Sequence, residues 1–272
     1  MSFAGLRVLS LESRRAKEMQ TLILRHGGVP FVAPSVKEKA SEDRSAAVHF
    51  VEQLEGGEFD AVICMTGSGI QFLRDAVQPV MPLERLSAAL CKVSIISRGP
   101  KPVSILRTLG VPIHLIIPEP NSWKEIVTAM ATRPERRIAI QEYGRPNPEM
   151  NAALEQLGAA VHPIVLYQWE LPENTAPLEE AARRLAAGDV DVVLFTSSIQ
   201  LDHLLQIADK LGLQPSVIRA LTQHKMIASV GPVMTAALQA HGISAAIIPN
   251  HPKMPSLVKA AADFVANNPR IG

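Results

Sequence analysis

The sequence has little of what marks several common protein classes. Among its 272 residues there are 2 cysteines and 2 tyrosines, and 27 basic residues nearly balance 26 acidic ones. Two cysteines cannot build a disulfide framework. Because Cys64 and Cys91 both stand at strand-like positions, we expect buried free thiols in a reducing compartment. The net charge of +1 gives no electrostatic reason for binding nucleic acid or an anionic membrane.

Membrane segments are also lacking in the sequence. No apolar run approaches the roughly 18 residues of a membrane span. The N-terminus runs directly into a predicted strand without the pattern of a signal segment. We therefore expect a cytoplasmic protein, monomeric by default, that binds neither membranes nor nucleic acid.

Motifs for metals, nucleotides and hydrolysis are missing. The 8 histidines are scattered without metal-ligand spacing. No P-loop lysine motif occurs, and the turn after Met65 has two of the three glycines of a dinucleotide fingerprint. No glycine–serine–glycine nucleophile motif is present either. Metal catalysis, nucleotide binding and hydrolysis are all disfavoured.

What the sequence does contain is an internal repeat. Residues 60–67 (DAVICMTG) match residues 191–198 (DVVLFTSS) at an offset of 131 positions. Glu18-Met19 and Glu149-Met150 share that offset, and Gly99-Pro100 and Gly231-Pro232 are 132 positions apart. Two similar α/β domains facing each other would form a cleft, where small molecules usually bind.

Apolar runs alternate with amphipathic segments along the whole chain. Strands are predicted at 6–11, 30–33, 61–65, 92–96, 111–117, 136–140, 161–167, 190–195, 226–230 and 244–248. Ser13 is expected to cap the first helix, residues 36–58 carry a helical apolar pattern, and 172–177 resemble a linker. Alternating strands and helices predict parallel sheets, with ligands at the carboxyl ends of the strands.

Several loops after strands are candidate binding sites for an anionic ligand. Two are strand-to-helix turns rich in hydroxyl and glycine residues, whose free N–H groups can hold a carboxylate or phosphate. Others carry cations beside turns, and one mixes an acid, a phenol and a base. The candidates are Thr66, Gly67, Ser68, Gly69, Arg98, Lys101, Tyr143, Arg145, Thr196, Ser197, Ser198, Gly231 and Lys253. Helix caps, tight turns and solvated loops would explain the same residues without a ligand.

Tyr167 ends a predicted strand just before the expected interdomain linker. A phenol there can donate a proton or a hydrogen bond into a cleft. A tyrosine that only packs its ring at an interface is the commoner case. Both interpretations stay open on the residues alone.

The order and spacing of the motifs resemble the uroporphyrinogen-III synthases over essentially the whole chain. The resemblance rests on Leu11–Arg14 with Gly27-Gly28, Ser97–Pro102, Gln141–Pro146, Val165–Tyr167, Leu194–Ser198, Val230–Pro232 and His251–Met254. It implies two doubly wound α/β domains with parallel sheets, joined by two linkers. The first domain would be discontinuous, with residues 1–34 and 171–272, and the second would comprise residues 35–170.

The resemblance also implies a reaction. Enzymes of this family close hydroxymethylbilane, a linear tetrapyrrole rich in carboxylates, to the macrocycle with ring D inverted, losing water through a spiro intermediate and needing no cofactor. Tyr167 matches the tyrosine thought to assist departure of the hydroxyl. The turns at Thr66–Gly69, Ser197–Ser198 and Gly231 would hold carboxylates, aided by the cations. A transient contact with hydroxymethylbilane synthase, which makes the substrate, is a further expectation.

One departure from the family is Met234, where a threonine is common. A methionine cannot hydrogen-bond a propionate, so Thr235 or the backbone would take over, or activity would be weakened. The alternative to an active synthase is a catalytically silent relative that binds a tetrapyrrole or another anionic metabolite. A periplasmic solute-binding protein is disfavoured because no signal segment is expected.

Overall fold

The computed structural model describes residues 2–41, 43–224 and 226–268. The chain forms two α/β units. Unit 1 comprises Met1–Lys37 and Glu170–Gly272, and unit 2 comprises Glu38–Trp169. The predicted class, two α/β domains with parallel sheets of which the first is discontinuous, is confirmed.

The described residues contain eleven strands and twelve helices. The strands are β1 (Arg7–Ser10), β2 (Val29–Val32), β3 (Lys37–Ala40), β4 (Ala61–Cys64), β5 (Ser94–Ser97), β6 (Leu115–Ile116), β7 (Arg137–Gln141), β8 (Ala160–Ile164), β9 (Tyr167–Glu170), β10 (Val192–Phe195) and β11 (Ile227–Ser229). The helices are α1 (Ala16–Arg25), α2 (Ser45–Glu55), α3 (Gly67–Val77), α4 (Leu83–Leu90), α5 (Pro100–Thr108), α6 (Trp123–Met130), α7 (Pro148–Gln156), α8 (Ala176–Ala187), α9 (Ser198–Lys210), α10 (Gln214–Gln223), α11 (Pro232–Gln239) and α12 (Met254–Asn267).

Each unit is built on one parallel sheet. The strand order is β11-β10-β1-β2 in unit 1 and β6-β5-β4-β7-β8 in unit 2. A third sheet, of two strands, pairs β3 with β9. None of the helices in the described ranges is both long enough and apolar enough to span a membrane.

The central strands are apolar on both faces because helices cover both faces of each sheet. In β10, Val193 and Phe195 join the core formed with α8 to α11, whereas Val192 and Leu194 join the core formed with α1 and α12. The same alternation runs through β4 of unit 2. An uninterrupted apolar run is therefore the sequence signature of these strands.

The internal repeat corresponds to one topology used twice. The order β11-β10-β1-β2 of unit 1 matches β5-β4-β7-β8 of unit 2. The fifth strand of unit 2, β6, is matched in unit 1 by an isolated bridge between Ala228 and Ile247. The predicted strand at 244–248 was thus wrong, because only this bridge extends the sheet edge there.

The predicted strand at 161–167 was also wrong, since it merges two strands of different sheets. β8 ends at Ile164, and Tyr167 begins β9. The apolar residues between them run on without a polar break, so the sequence hides the point where the chain leaves the larger sheet. The segment 36–58 likewise contains β3 before its helix.

Three further expectations, about a helix cap, a cysteine and a linker, were wrong. Ser13 does not cap α1; its Oγ accepts the N–H groups of Ser35 and Val36, both at 2.9 Å. Cys91 lies exposed at the end of α4, and only Cys64 is buried, where desolvation raises the pKa of its thiol to about 12. Residues 176 and 177 already belong to α8, so the expected linker at 172–177 is shorter than predicted.

Candidate functional site

The candidate residues of each unit lie where the strand order reverses. In unit 2 the chain proceeds from β4 to β5 and β6 on one side and from β7 to β8 on the other. The carboxyl ends of β4 and β7 therefore flank the crevice that parallel α/β sheets use for ligands. In unit 1 the equivalent place lies at the ends of β10 and β1.

The turn after β4 is held by its own hydroxyl and by a buried amide. Thr66 caps α3 with extended backbone, and its Oγ1 accepts the Gly69 N–H at 2.9 Å. The Thr66 N–H is donated to Gln141 Oε1 at 3.1 Å. Two N–H groups of this turn are thus already occupied within the protein. Ser68 in the same turn is half-buried.

Tyr167 contacts this turn through its hydroxyl. The phenol oxygen lies 3.1 Å from Thr66 Oγ1, and either group can be the donor. The ring stacks on Phe72, with centroids 5.0 Å apart and planes 20° from parallel. Only 1% of Tyr167 is exposed. Tyr167 therefore combines a packed ring with a polar edge directed at the candidate turn.

Arg98 is the one candidate cation of unit 2 that is half-buried. Its guanidinium lies over the Tyr143 ring, 5.1 Å from the centroid. Desolvation lowers its pKa from the ordinary value, while attraction to the phenol oxygens of Tyr143 and Tyr167 opposes that change. No carboxylate pairs with Arg98 among the residues that the structure describes. A half-buried cation without an anionic partner is suited to an anionic ligand.

The loop after β7 carries the other polar candidates of unit 2. Tyr143 is half-buried and packs edge-on against Trp169, with centroids 5.6 Å apart, whereas Arg145 is exposed. Glu142 is buried, and desolvation raises the pKa of its carboxyl above the usual range. The Asn151 side chain and the Asn147 backbone hydrogen-bond this carboxyl, with Asn151 Nδ2 3.5 Å from Oε1.

Lys101 is exposed near the start of α5, where this helix approaches the start of α3. A Cβ at Gly67 would lie 2.9 Å from the Lys101 carbonyl oxygen, so glycine permits the close approach of the two helices. The predicted residues Thr66 to Gly69, Arg98 and Lys101 are thereby brought to one edge of the unit 2 sheet.

The equivalent turn of unit 1 is arranged differently. Thr196 Oγ1 donates to Glu12 Oε2 at 2.6 Å, and Glu12 follows β1. Gln200 accepts the N–H groups of Thr196 at 2.8 Å and Ser197 at 3.3 Å. Ser198 begins α9 and is buried. The hydroxyl of Thr196 thus already has a carboxylate partner within the protein.

Gly231 and Lys253 lie at the same edge of unit 1. Gly231 precedes α11, and a Cβ there would meet Pro252 at 3.3 Å. Lys253 is exposed at the start of α12. The Thr235 hydroxyl lies 2.9 Å from that of Ser229 and donates to the Gly231 carbonyl.

Met234 does not line this edge. It is 2% exposed and belongs to the core formed by α8 to α11. The neighbouring Thr235 carries the hydroxyl that stands at the turn. The methionine therefore takes a packing position, and a hydrogen-bonding group is present one residue later.

Two residues that hold the turns, Gln141 and Gln200, were not among the predicted site residues. Gln200 could have been found, because Ser197-x-x-Gln200 has the spacing of a capping box. Gln141 stands in one of the motifs that carry the resemblance, but nothing local in the sequence points to its contact with Thr66, 75 positions away. No group of three or more His, Cys, Asp or Glu side chains in the described ranges could hold a metal ion.

Known proteins resemble this chain in sequence and in fold. Protein YjjA of Bacillus subtilis, which is uncharacterised, is 28% identical over 271 residues and covers 96% of each chain. The crystal structure of a mutant uroporphyrinogen III synthase from Thermus thermophilus superposes with a TM-score of 0.75 at 21% identity, covering 97% of this chain and 100% of that one. Uroporphyrinogen-III synthetase from Helicobacter pylori gives a TM-score of 0.53 at 12% identity, with coverages of 97% and 100%. At these identities, the likeness to the solved structures shows the fold.

The family assignment comes from the sequence match. The model of the family described as uroporphyrinogen-III synthase HemD matches residues 17–259, which span both units. The two-domain α/β fold of the structural neighbours agrees with that match. The chain belongs to the uroporphyrinogen-III synthase HemD family.

Proposed function

We propose that this chain is a uroporphyrinogen-III synthase, which cyclises hydroxymethylbilane with inversion of ring D and loss of water through a spiro intermediate, without a cofactor. The observation that carries the proposal is the Thr66–Tyr167 hydroxyl pair at the carboxyl end of β4. Beside it stands Arg98, a half-buried cation without a carboxylate partner in the described part of the chain. Family membership supports the same reaction.

The hydroxyl pair is suited to assist departure of the substrate's hydroxyl group. Because Thr66 Oγ1 accepts the Gly69 N–H, its own proton is available for donation to the Tyr167 oxygen. The phenol proton of Tyr167 can then be donated to the leaving hydroxyl, which departs as water. The pyrrole ring supplies the electrons for this step, so the protein needs only to place a donor.

Loss of water leaves an azafulvene cation, which the substituted carbon of ring D attacks to give the spiro intermediate. We do not assign Arg98 to stabilising that cation, since the two charges have the same sign. Arg98 is instead assigned to a substrate carboxylate, an interaction that half-burial strengthens. Its place over the Tyr143 ring fixes the direction of the guanidinium.

The remaining candidates are assigned to the other carboxylates. In unit 2 these are Gly67, Ser68, Lys101 and Arg145, and in unit 1 they are Thr196, Ser197, Ser198, Gly231 and Lys253. Gly69 and Tyr143 are not assigned to a carboxylate, because the Gly69 N–H is donated to Thr66 Oγ1 and the Tyr143 ring lies under Arg98. The exposed cations Lys101, Arg145 and Lys253 act mainly through long-range attraction, which salt screens. Hydroxyls and helix N-termini supply directed donors. Binding by many groups would fold the linear substrate so that ring D meets the reactive carbon.

The deciding experiment is a product analysis. Purified protein receives hydroxymethylbilane generated in situ, the products are oxidised, and the porphyrin isomers are separated by chromatography. Isomer III well above the no-enzyme control is expected. Isomer I alone, formed at the rate of that control, would contradict the synthase proposal.

A catalytically silent, anion-binding relative is the second candidate function. The observation in its favour is the burial of Tyr167, whose exposed fraction is 1%. A silent relative would bind the tetrapyrrole without turnover. Calorimetric titration with uroporphyrinogen III under reducing conditions, beside the product analysis, separates the two candidates.

We also propose a location, an oligomeric state and a partner for the protein. A cytoplasmic monomer that receives hydroxymethylbilane through a transient contact with hydroxymethylbilane synthase would protect the substrate from spontaneous closure. Size-exclusion chromatography of the protein alone and mixed with that enzyme tests the monomeric state and the contact.

A further inference from the structure

Gln141 connects the two strands that flank the crevice of unit 2. It is the last residue of β7 and lies beside Cys64, the last residue of β4, in the parallel register. Its side chain is buried, with 1% exposed, so both ends of the amide need partners. The oxygen accepts the Thr66 N–H at 3.1 Å, and the nitrogen donates to the Glu142 carbonyl. A single amide therefore fixes the start of the Thr66 turn against the neighbouring strand.

Helix α3 leaves room for this amide. A Cβ at Gly69 would overlap the Gln141 amide group. Any residue other than glycine at position 69 would therefore displace Gln141 from the Thr66 N–H. The glycine of this turn is explained by the space that Gln141 takes rather than by backbone conformation.

In unit 1 the equivalent amide comes from the helix that follows the turn, α9. Gln200 lies 131 positions after Gly69, which is the offset of the repeat. Its oxygen accepts the Thr196 N–H at 2.8 Å, and its nitrogen donates to the Leu11 carbonyl at 3.2 Å. Each unit thus holds its turn with one buried glutamine, although the glutamine is the last residue of a strand in unit 2 and belongs to a helix in unit 1.

The two turns differ in what their threonine hydroxyl contacts. In unit 1 the Thr196 hydroxyl donates to Glu12, a carboxylate. In unit 2 the Thr66 hydroxyl lies 3.1 Å from the Tyr167 phenol oxygen. Loosening the turn of unit 2 would therefore move a phenol's hydrogen-bond partner, whereas loosening the turn of unit 1 would not.

We propose that Gln141 is a positioning residue for Tyr167, acting through the backbone and hydroxyl of Thr66. Anchoring the Thr66 N–H sets the direction of Oγ1, which accepts the Gly69 N–H and holds the phenol. The kinetic consequence rests on the proposed synthase function, since small displacements of a reacting group lower turnover strongly. The structural consequence, an altered environment of the Tyr167 hydroxyl, does not depend on that function.

The kinetic test uses Gln141→Met, which keeps the length of the side chain and removes both hydrogen bonds. We expect about tenfold lower kcat in forming isomer III, because a buried N–H is left without its acceptor, and a nearly unchanged KM. Gln200→Met is the matched control for kcat, since it removes the equivalent amide of unit 1. The Thr196–Ser198 turn that it loosens is assigned to substrate carboxylates, so we expect a higher KM with kcat near the wild-type value. A kcat equally low in Gln200→Met would overturn the proposal, because general loosening would then explain both variants.

The structural test needs no turnover. The chain has 2 tyrosines, so protein labelled with ¹³C at the tyrosine ring carbon that bears the hydroxyl gives two NMR signals, and Tyr143→Phe assigns them. We expect Gln141→Met and Thr66→Val to shift the Tyr167 signal and Gln200→Met to leave it in place. Gln141→Glu retains an oxygen for the Thr66 N–H, and burial favours the protonated carboxyl, whose O–H can donate to the Glu142 carbonyl. We therefore expect this variant to keep the signal and most of kcat.

The two tests separate the positioning role from the proposed function. A shifted Tyr167 signal in a protein that forms no isomer III would remove the synthase and keep the positioning role. An unshifted signal in Gln141→Met, or isomer III formed at the wild-type rate by that variant, would refute the positioning role while leaving the synthase intact.

Discussion

Tyr167 has an aromatic ring and a hydroxyl group, and the two make different contacts. Its ring packs on Phe72, and its hydroxyl meets Thr66. Packing alone would be served as well by phenylalanine, whereas donation to a leaving group needs the oxygen. A change of Tyr167 to phenylalanine would therefore remove the hydroxyl group and keep the packed ring.

Tyr167→Phe is expected to lower kcat by one to two orders of magnitude, on the scale of roughly 10²-fold for a positioned acid–base group. The melting temperature should change little, because the stacked ring remains. Initial rates of isomer III formation and a thermal melt are the measurements. Wild-type turnover in this variant would rule out the role assigned to the phenol.

Arg98→Met is expected to raise KM for hydroxymethylbilane about tenfold or more, since a charge-assisted contact to a carboxylate is lost. Arg107→Met is the matched control, because Arg107 is exposed on α5, the helix that begins two residues after Arg98. Steady-state kinetics of both variants give the comparison. An equal KM in the two would mean that Arg98 holds no substrate carboxylate.

At the scale of elements, an acidic residue ties each central strand to its neighbour. Asp60 precedes β4 and accepts the backbone N–H of Arg137 at 2.8 Å as well as its guanidinium. Asp191 precedes β10 and binds Arg7 in the same way, with its carboxylate 2.7 Å from the backbone nitrogen. These pairs set the register between β4 and β7 and between β10 and β1.

The Asp60 pair predicts an acid dependence of stability. The Arg137 contacts lower the pKa of the Asp60 carboxyl to about 2, below its unfolded value. Ionised Asp60 therefore stabilises the fold above about pH 4, and the contribution is lost as the pH falls toward about 2. Its size should be about 1 kcal/mol, because the pair is partly exposed and screened.

Urea unfolding of wild type and Asp60→Asn between neutral and acidic pH measures this contribution. We expect a stability difference that is constant at neutral pH and shrinks below about pH 4. The control is Asp75→Asn, which changes an exposed carboxylate that pairs, among the residues described, with its neighbour Arg74 alone. A difference independent of pH down to about 2 would contradict the assignment.

Some strands and helices could be predicted from local sequence patterns, and others could not. β4 and β10 were predicted near their observed bounds because an apolar run bounded by polar residues is a local property. The break between β8 and β9 was missed because no polar residue marks it. Helix α10, which packs against α8 and α9, was not predicted, although Pro215 stands in its first turn, where proline favours a helix start.

At the scale of the whole molecule, unit 2 is continuous in sequence and unit 1 is not. All five strands of the unit 2 sheet lie within Glu38–Trp169. The unit 1 sheet instead takes β1 and β2 from the start of the chain and β10 and β11 from the last third, with β1 between β10 and β2. One unit should therefore fold from a single fragment, and the other should not.

We expect a fragment of residues 38–169 to give a cooperative urea transition with α/β circular dichroism. A fragment of residues 170–272 should not. In this fragment β10 lacks its neighbouring strand β1, and the apolar face of β10 is no longer covered by α1. Adding a peptide of residues 1–37 should restore structure to the second fragment. Cooperative unfolding of residues 170–272 alone would show that unit 1 does not depend on its N-terminal part.

The sequence by itself determined the parallel α/β class, the repeated strand–turn–helix unit and the places of the candidate turns. These follow from apolar runs, glycine and hydroxyl residues that act over a few positions. The tertiary structure alone decided that Thr66 meets Tyr167, 101 positions away, that Gln141 anchors the Thr66 turn, and that Met234 is a core residue. The reason is physical, because periodicity is local, whereas these contacts depend on which strands become neighbours at the point where the strand order reverses.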